Sequence, residues 1–141
     1  MTNAPRSLAS LWIAALGLTM ATGGSLAQAQ NLPSAVEAEI AGDIAICKSS
    51  GGVAASARRA VKTGDANQDG RPDYLLDEGR LCKAAFCGSG GCSFVLFLSG
   101  PNGVKRAYAG LGTSPKMGAG FVTYVSASGL TRVRISGYSA K

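Results

Sequence analysis

Four cysteines constrain this chain more than any other feature. Cys47, Cys82, Cys87 and Cys92 lie in the central part of a sequence of 141 residues. An even number of cysteines in a small exported domain reads as two disulfides, with three possible pairings. The glycines of Gly88-Ser89-Gly90-Gly91 let the backbone turn tightly enough to join Cys87 to Cys92. That favours Cys87–Cys92, and Cys47–Cys82 then ties the N-terminal segment to the rest. Pairing Cys82 with Cys92 is nearly as easy to draw. The spacing C-x4-C-x4-C matches neither zinc pairs nor the ferredoxin pattern, and a redox-active pair is more usually C-x-x-C.

A disulfide framework needs an oxidising compartment, and the N-terminus reads as the address to one. Arg6 is followed by an apolar run from Leu8 to Met20, and small residues then lead to Ala27-Gln28-Ala29. This is the layout of a signal peptide cleaved near Ala29. The run has 13 residues, whereas a spanning helix needs about 20. No cysteine follows the small residues and no arginine pair precedes the run, so neither a lipoprotein nor a twin-arginine signal is indicated. The expectation is residues 1–29 as signal peptide and 30–141 as one periplasmic or secreted domain. Cleavage would leave 112 residues at net charge +5, without the only tryptophan, Trp12.

The mature part reads as an α+β domain. Ser34 and Glu37 have capping-box spacing. Val36, Ile40 and Ile44 recur at helical spacing from Ala35 to about Cys47. Residues 53–63 are ambiguous, with a strand near Arg59–Thr63. Strands are expected at Asp73–Asp77, at the apolar run Ser93–Leu98, and at Val104–Ala109 across an Asn-Gly turn. Further strands are expected at Gly120–Ser126 and Leu130–Ile135. In the last, Val133 and Ile135 share one face and Arg132 and Arg134 the other. The sum is a short N-terminal helix and an antiparallel sheet of about five or six strands, stapled by disulfides.

One segment carries chemistry: Gly64-Asp65-Ala66-Asn67-Gln68-Asp69-Gly70-Arg71-Pro72-Asp73-Tyr74. Asp65, Asn67, Asp69 and Asp73 fall at positions 1, 3, 5 and 9 of a calcium-type loop over residues 65–76, with Gly70 at position 6. Calcium takes six to eight oxygens at about 2.3–2.6 Å, and alternate residues of a tightly curled loop point inward. Arg71, at position 7, would offer only its backbone carbonyl. Position 12 is Leu76 rather than Glu, and Pro72 with Tyr74-Leu75-Leu76 opposes an exiting helix. Without the bidentate acid the site should be structural and weak, about 10⁻⁴–10⁻³ M.

This segment resembles the strand-flanked D-x-[DN]-x-D-G-x-x-D loops of FG-GAP repeats, which usually occur in several copies where this chain has one. From about Gly64 to Ala109 the order of loop, Asp77, Cys82, Cys87-Gly-Ser-Gly-Gly-Cys92 and apolar strand is similar to a group of small exported proteobacterial proteins of unassigned function. That resemblance implies a calcium-loop architecture and supplies no activity. Residues 109–141 lack the further cysteines expected of that group.

The chain contains no histidine. Imidazole-based triads, proton shuttles and His-ligated metals are therefore excluded. No nucleophile–base pair can be named, so a non-enzymatic module is expected rather than a metal-dependent hydrolase. The alternative is a basic envelope module, without metal, that binds a polyanion or a protein through Arg58, Arg59, Lys62, Lys105, Arg106, Arg132 and Arg134. Lysines and arginines on solvated strand edges also serve simply to discourage aggregation.

Overall fold

A computed structural model describes residues 31–135. The expected signal peptide lies outside the described residues. The chain runs α1 (Ser34–Ser49), α2 (Ala57–Ala60), β1 (Val61–Gly64), β2 (Asp73–Asp77), α3 (Glu78–Leu81), α4 (Lys83–Phe86), β3 (Cys87–Gly88), β4 (Gly91–Gly100), β5 (Gly103–Gly118), β6 (Phe121–Ser126) and β7 (Gly129–Arg134). It is a mixed α+β fold. The seven strands form one antiparallel sheet in the order β1-β2-β4-β5-β6-β7, with the short β3 paired to β4. No helix among the described residues is long and apolar enough to cross a membrane.

The apolar run in β4 is central because it is buried from both faces. Val95 and Phe97 join Leu76 beneath α1, where Val36 and Ile40 supply the helix face and Ala60 and Leu81 complete the cluster. Phe94 and Leu96 join Leu75 on the opposite face, against Val122 of β6 and Ile135 just beyond β7. Period-two alternation thus sends successive residues of one strand into two cores. The second core needs β6 and β7 to lie over the sheet, and β5 provides the bend. Its first part pairs with β4 as far as Gly112, and from Thr113 it pairs with β6. The register shifts between Thr113 and Lys116, around Ser114 at φ 53°.

Both disulfides form as the glycine spacing favours, Cys47–Cys82 and Cys87–Cys92. The first joins α1 to the end of α3. The second closes the β3–β4 hairpin and packs on Gly79, where any Cβ would sit 2.7 Å from Cys92 Sγ and 2.9 Å from Cys87 Sγ. Val133 and Ile135 do face inward and Arg132 and Arg134 outward.

Two details differ from the sequence reading. Ser34 is not a capping residue: the helix starts after Pro33, whose carbonyl accepts the Val36 and Glu37 N–H groups at 2.9 and 3.0 Å. The strand expected near Arg59–Thr63 starts at Val61, because Ala57–Ala60 form the single helical turn α2.

Candidate functional site

The loop that joins β1 to β2 curls around its own acidic side chains. Asp65 Oδ1 and Asn67 Oδ1 both accept from the Asp69 N–H, at 3.1 and 3.2 Å. Asp65 Oδ2 accepts from Gly70 N at 2.9 Å, and Asp69 Oδ1 from Arg71 N at 2.9 Å. Asn67 Nδ2 donates to Asp69 Oδ2 at 3.2 Å. The curl needs left-handed backbone at Gln68 (φ 60°) and Gly70 (φ 86°). Glycine takes that conformation freely and glutamine does so at some energetic cost. An oxygen that accepts one N–H keeps a lone pair for a cation, so these contacts and cation ligation are compatible.

Asp73 plays a different part. It is fully buried in the first residue of β2. Its Oδ2 accepts from Ala66 N at 2.8 Å and Asn67 N at 3.3 Å, and its Oδ1 from Ser99 N at 2.8 Å. Burial raises the Asp73 pKa above the usual carboxylate value, and the three N–H donors oppose that rise. The side chain therefore fastens both the start of the loop and the end of β4 to β2. Arg71 is exposed, with its N–H on Asp69. The loop also docks on the far end of the sheet: Gly120 N donates to Ala66 O at 2.7 Å, and Ile135 N to Gly120 O at 2.9 Å.

A second acidic group was not visible from the sequence. Oxygens of Glu39 and Asp43 on α1 and of Glu78 on α3 all lie within 4.8 Å of one another, close enough to hold a metal ion. Among the described residues this is the one such set of acidic, histidine or cysteine groups, so Asp65, Asp69 and Asp73 do not form another. Asp43 and Glu78 are both 6% exposed. The Asp43 carboxyl is pushed up to about 7, first by burial, then by Glu78 and Glu39, against a smaller opposing effect of Arg106. Arg106 pairs with Glu39 at 3.6 Å. The available signal was the spacing: Glu39, Asp43 and Cys47 fall on successive turns of one helix face, and Glu78 precedes Cys82 by one turn.

The basic residues spread over separate places. Arg58, Arg59 and Lys62 line one cleft with Arg80. Lys105 lines another, and Arg132 and Arg134 a third. Arg132 also stacks over Phe121, 3.5 Å from the ring centroid. Lys62 donates to Pro115 O at 2.8 Å, and its pKa is lowered chiefly by burial. No protein-family model, curated protein or solved structure matches this chain.

Proposed function

We propose that this protein is an exported, non-enzymatic module in which the 65–73 loop binds one calcium ion as a structural part, as in the small exported proteobacterial proteins its 64–109 segment resembles. The observation that carries this reading is the convergence of Asp65 Oδ1 and Asn67 Oδ1 on the single N–H of Asp69. It brings the side chains of positions 1 and 3 to the backbone of position 5, and Asn67 Nδ2 also reaches Asp69 Oδ2. Asp65 and Asp69 repel each other there, and a divalent cation would relieve the repulsion. The ion would stiffen a loop that links the β1–β2 hairpin, through Ala66, to Gly120 and Ile135. Two disulfides are in keeping with a periplasmic or extracellular location.

Thermal melting tests the reading. Several millimolar calcium should raise the melting temperature over a chelator baseline, and Asp65→Asn with Asp69→Asn should remove the rise that comes from the loop. A double variant that responds to calcium as the parent does would overturn it.

A second reading is favoured by one observation, the cleft of about 490 Å³ lined by Arg58, Arg59, Lys62 and Arg80. Four cations on one concave surface suit a polyanion. Heparin binding that collapses above about 0.2 M salt and is lost in Arg58→Ser with Arg59→Ser would establish it. Retention of the double variant by heparin would reject it.

A further inference from the structure

We propose that Glu39, Asp43 and Glu78 form a second cation site, suited to calcium, at the seam between α1 and α3 and separate from the 65–73 loop. The seam is a product of covalent and helical geometry. Cys47 lies one turn beyond Asp43 and two beyond Glu39, and Cys82 lies one turn beyond Glu78. The Cys47–Cys82 bridge draws the two elements together. The carboxylates then come together at the seam, Asp43 and Glu78 one turn from the bridge and Glu39 two turns from it. Three acids that repel are brought close together there.

Asp43 is the acid at this seam that its protein neighbours leave unsatisfied. It is 6% exposed. Its Oδ2 is buried and has no hydrogen-bond partner. A buried carboxylate without donors is strongly disfavoured, and two other buried aspartates do have donors. Asp73 is buried more deeply and has three backbone donors. Asp77, also buried, accepts from Arg80 N at 3.2 Å and pairs with the Arg80 guanidinium at 3.5 Å. The one cation at the seam, Arg106, pairs with Glu39 and not with Asp43. With all three carboxyls ionised, they and the one guanidinium leave two negative charges, which a single divalent ion balances.

The donor set points to a hard cation, and its span admits calcium. Only carboxylate oxygens are offered, which suits hard cations and not zinc or copper. Calcium–oxygen distances of about 2.3–2.6 Å place opposite ligands about 4.6–5.2 Å apart, whereas magnesium, at about 2.0–2.1 Å, needs a tighter octahedron. A set of oxygens within 4.8 Å of one another has room for calcium. Glu39 is 28% exposed at its side chain, so water reaches that edge and can complete the six to eight ligands.

Equilibrium dialysis against calcium tests this, on the protein with both disulfides formed. It compares the parent, Asp43→Asn, Glu78→Gln and the double variant Asp65→Asn with Asp69→Asn. Asp43→Asn removes a charge and keeps the shape, and Glu78→Gln guards against a folding defect in the first. Each seam variant is expected to bind one equivalent less than the parent. Each should also lose a calcium-induced melting shift of about 5 °C, the shift expected at about ten times the dissociation constant. Seam variants that bind as much calcium as the parent would overturn the proposal. A single equivalent lost only in the seam variants would uphold it and reject the loop reading. A single equivalent lost only in the loop variant would do the reverse.

Discussion

The loop and the seam are two groups of acidic side chains built in opposite ways. The loop draws its groups from nine consecutive residues, Asp65 to Asp73, and gives nearly every oxygen a backbone N–H. The seam draws Glu39 and Asp43 from one helix and Glu78 from another, and leaves Asp43 Oδ2 with none. A local turn brings its own donors, because the backbone that curls around a carboxylate points its amides at it. At the seam α1 has spent its amides on its own carbonyls, and the Arg80 N–H of α3 goes to Asp77. Acids at such an interface depend on another side chain or on an ion. The difference lies in what surrounds the carboxylates rather than in how many there are.

The largest expected effect separates the two regions outright. Replacing Cys47 and Cys82 by alanine removes a bridge with a sequence separation of 35. The expected loss is about 3–4 kcal/mol in urea unfolding, from the restored freedom of the unfolded chain. In the same variant the seam's calcium equivalent should disappear while the loop's persists. Loss of both would mean that the two regions are one cooperative unit.

Asp73→Ala should come next, at about 2–3 kcal/mol. It strands the N–H groups of Ala66, Asn67 and Ser99, and buried donors without acceptors are expensive. Asp73→Asn keeps an acceptor oxygen and should lose less. Equal losses would show that the charge, rather than the acceptors, holds the loop.

These two regions were unequally legible in the sequence. The loop could be read because its spacing is local, and β2, the β4–β5 turn and β7 because alternation and Asn-Gly are local too. The Cys87–Cys92 bridge followed from the glycines between the cysteines. The dual role of Asp73 did not follow, because its partner Ser99 is 26 residues away and is set by the β2–β4 register. The four-residue turns α3 and α4 are too short to show a period. The seam was only half legible: the spacing of Glu39, Asp43 and Cys47 is local, but Glu78 meets Asp43 only through a disulfide and a sheet already in place. Glu78 lies two residues beyond the place of the bidentate acid of a helical calcium loop. That place is filled by Leu76, which is fully buried beneath α1.

Gly79 offers a smaller break, of about 1–3 kcal/mol. Gly79→Ala drives a methyl into the Cys87–Cys92 bridge, whose sulfurs lie 2.7 and 2.9 Å from the position its Cβ would take, and overpacking of this kind has that magnitude. Because Gly79 follows Glu78, the shift should also loosen the seam's calcium affinity and leave that of the loop unchanged. Calorimetric titration of the variant beside the parent reads both. An unchanged seam would mean that α3 absorbs the methyl without moving Glu78.

The smallest expected effect is the sharpest on charge. Arg106 is 55% exposed at its side chain and reaches Glu39 at 3.6 Å. Exposed pairs of this kind contribute about 0–1 kcal/mol, so Arg106→Gln should hardly change stability in chelator. Its effect should fall on the ion instead. Removing the one positive charge at the seam leaves three carboxylates with no competitor for the cation, and calcium should bind there about two- to fivefold more tightly at low ionic strength. Salt should erase most of that gain, because a partly exposed charge is screened over about 10 Å at 0.1 M. The loop's affinity should not change at either salt concentration. Tighter binding at the seam alone, fading with salt, would mean that Arg106 and the ion compensate the same carboxylates. Unchanged or weaker binding would mean that the guanidinium positions Glu39 for the site rather than competing for it.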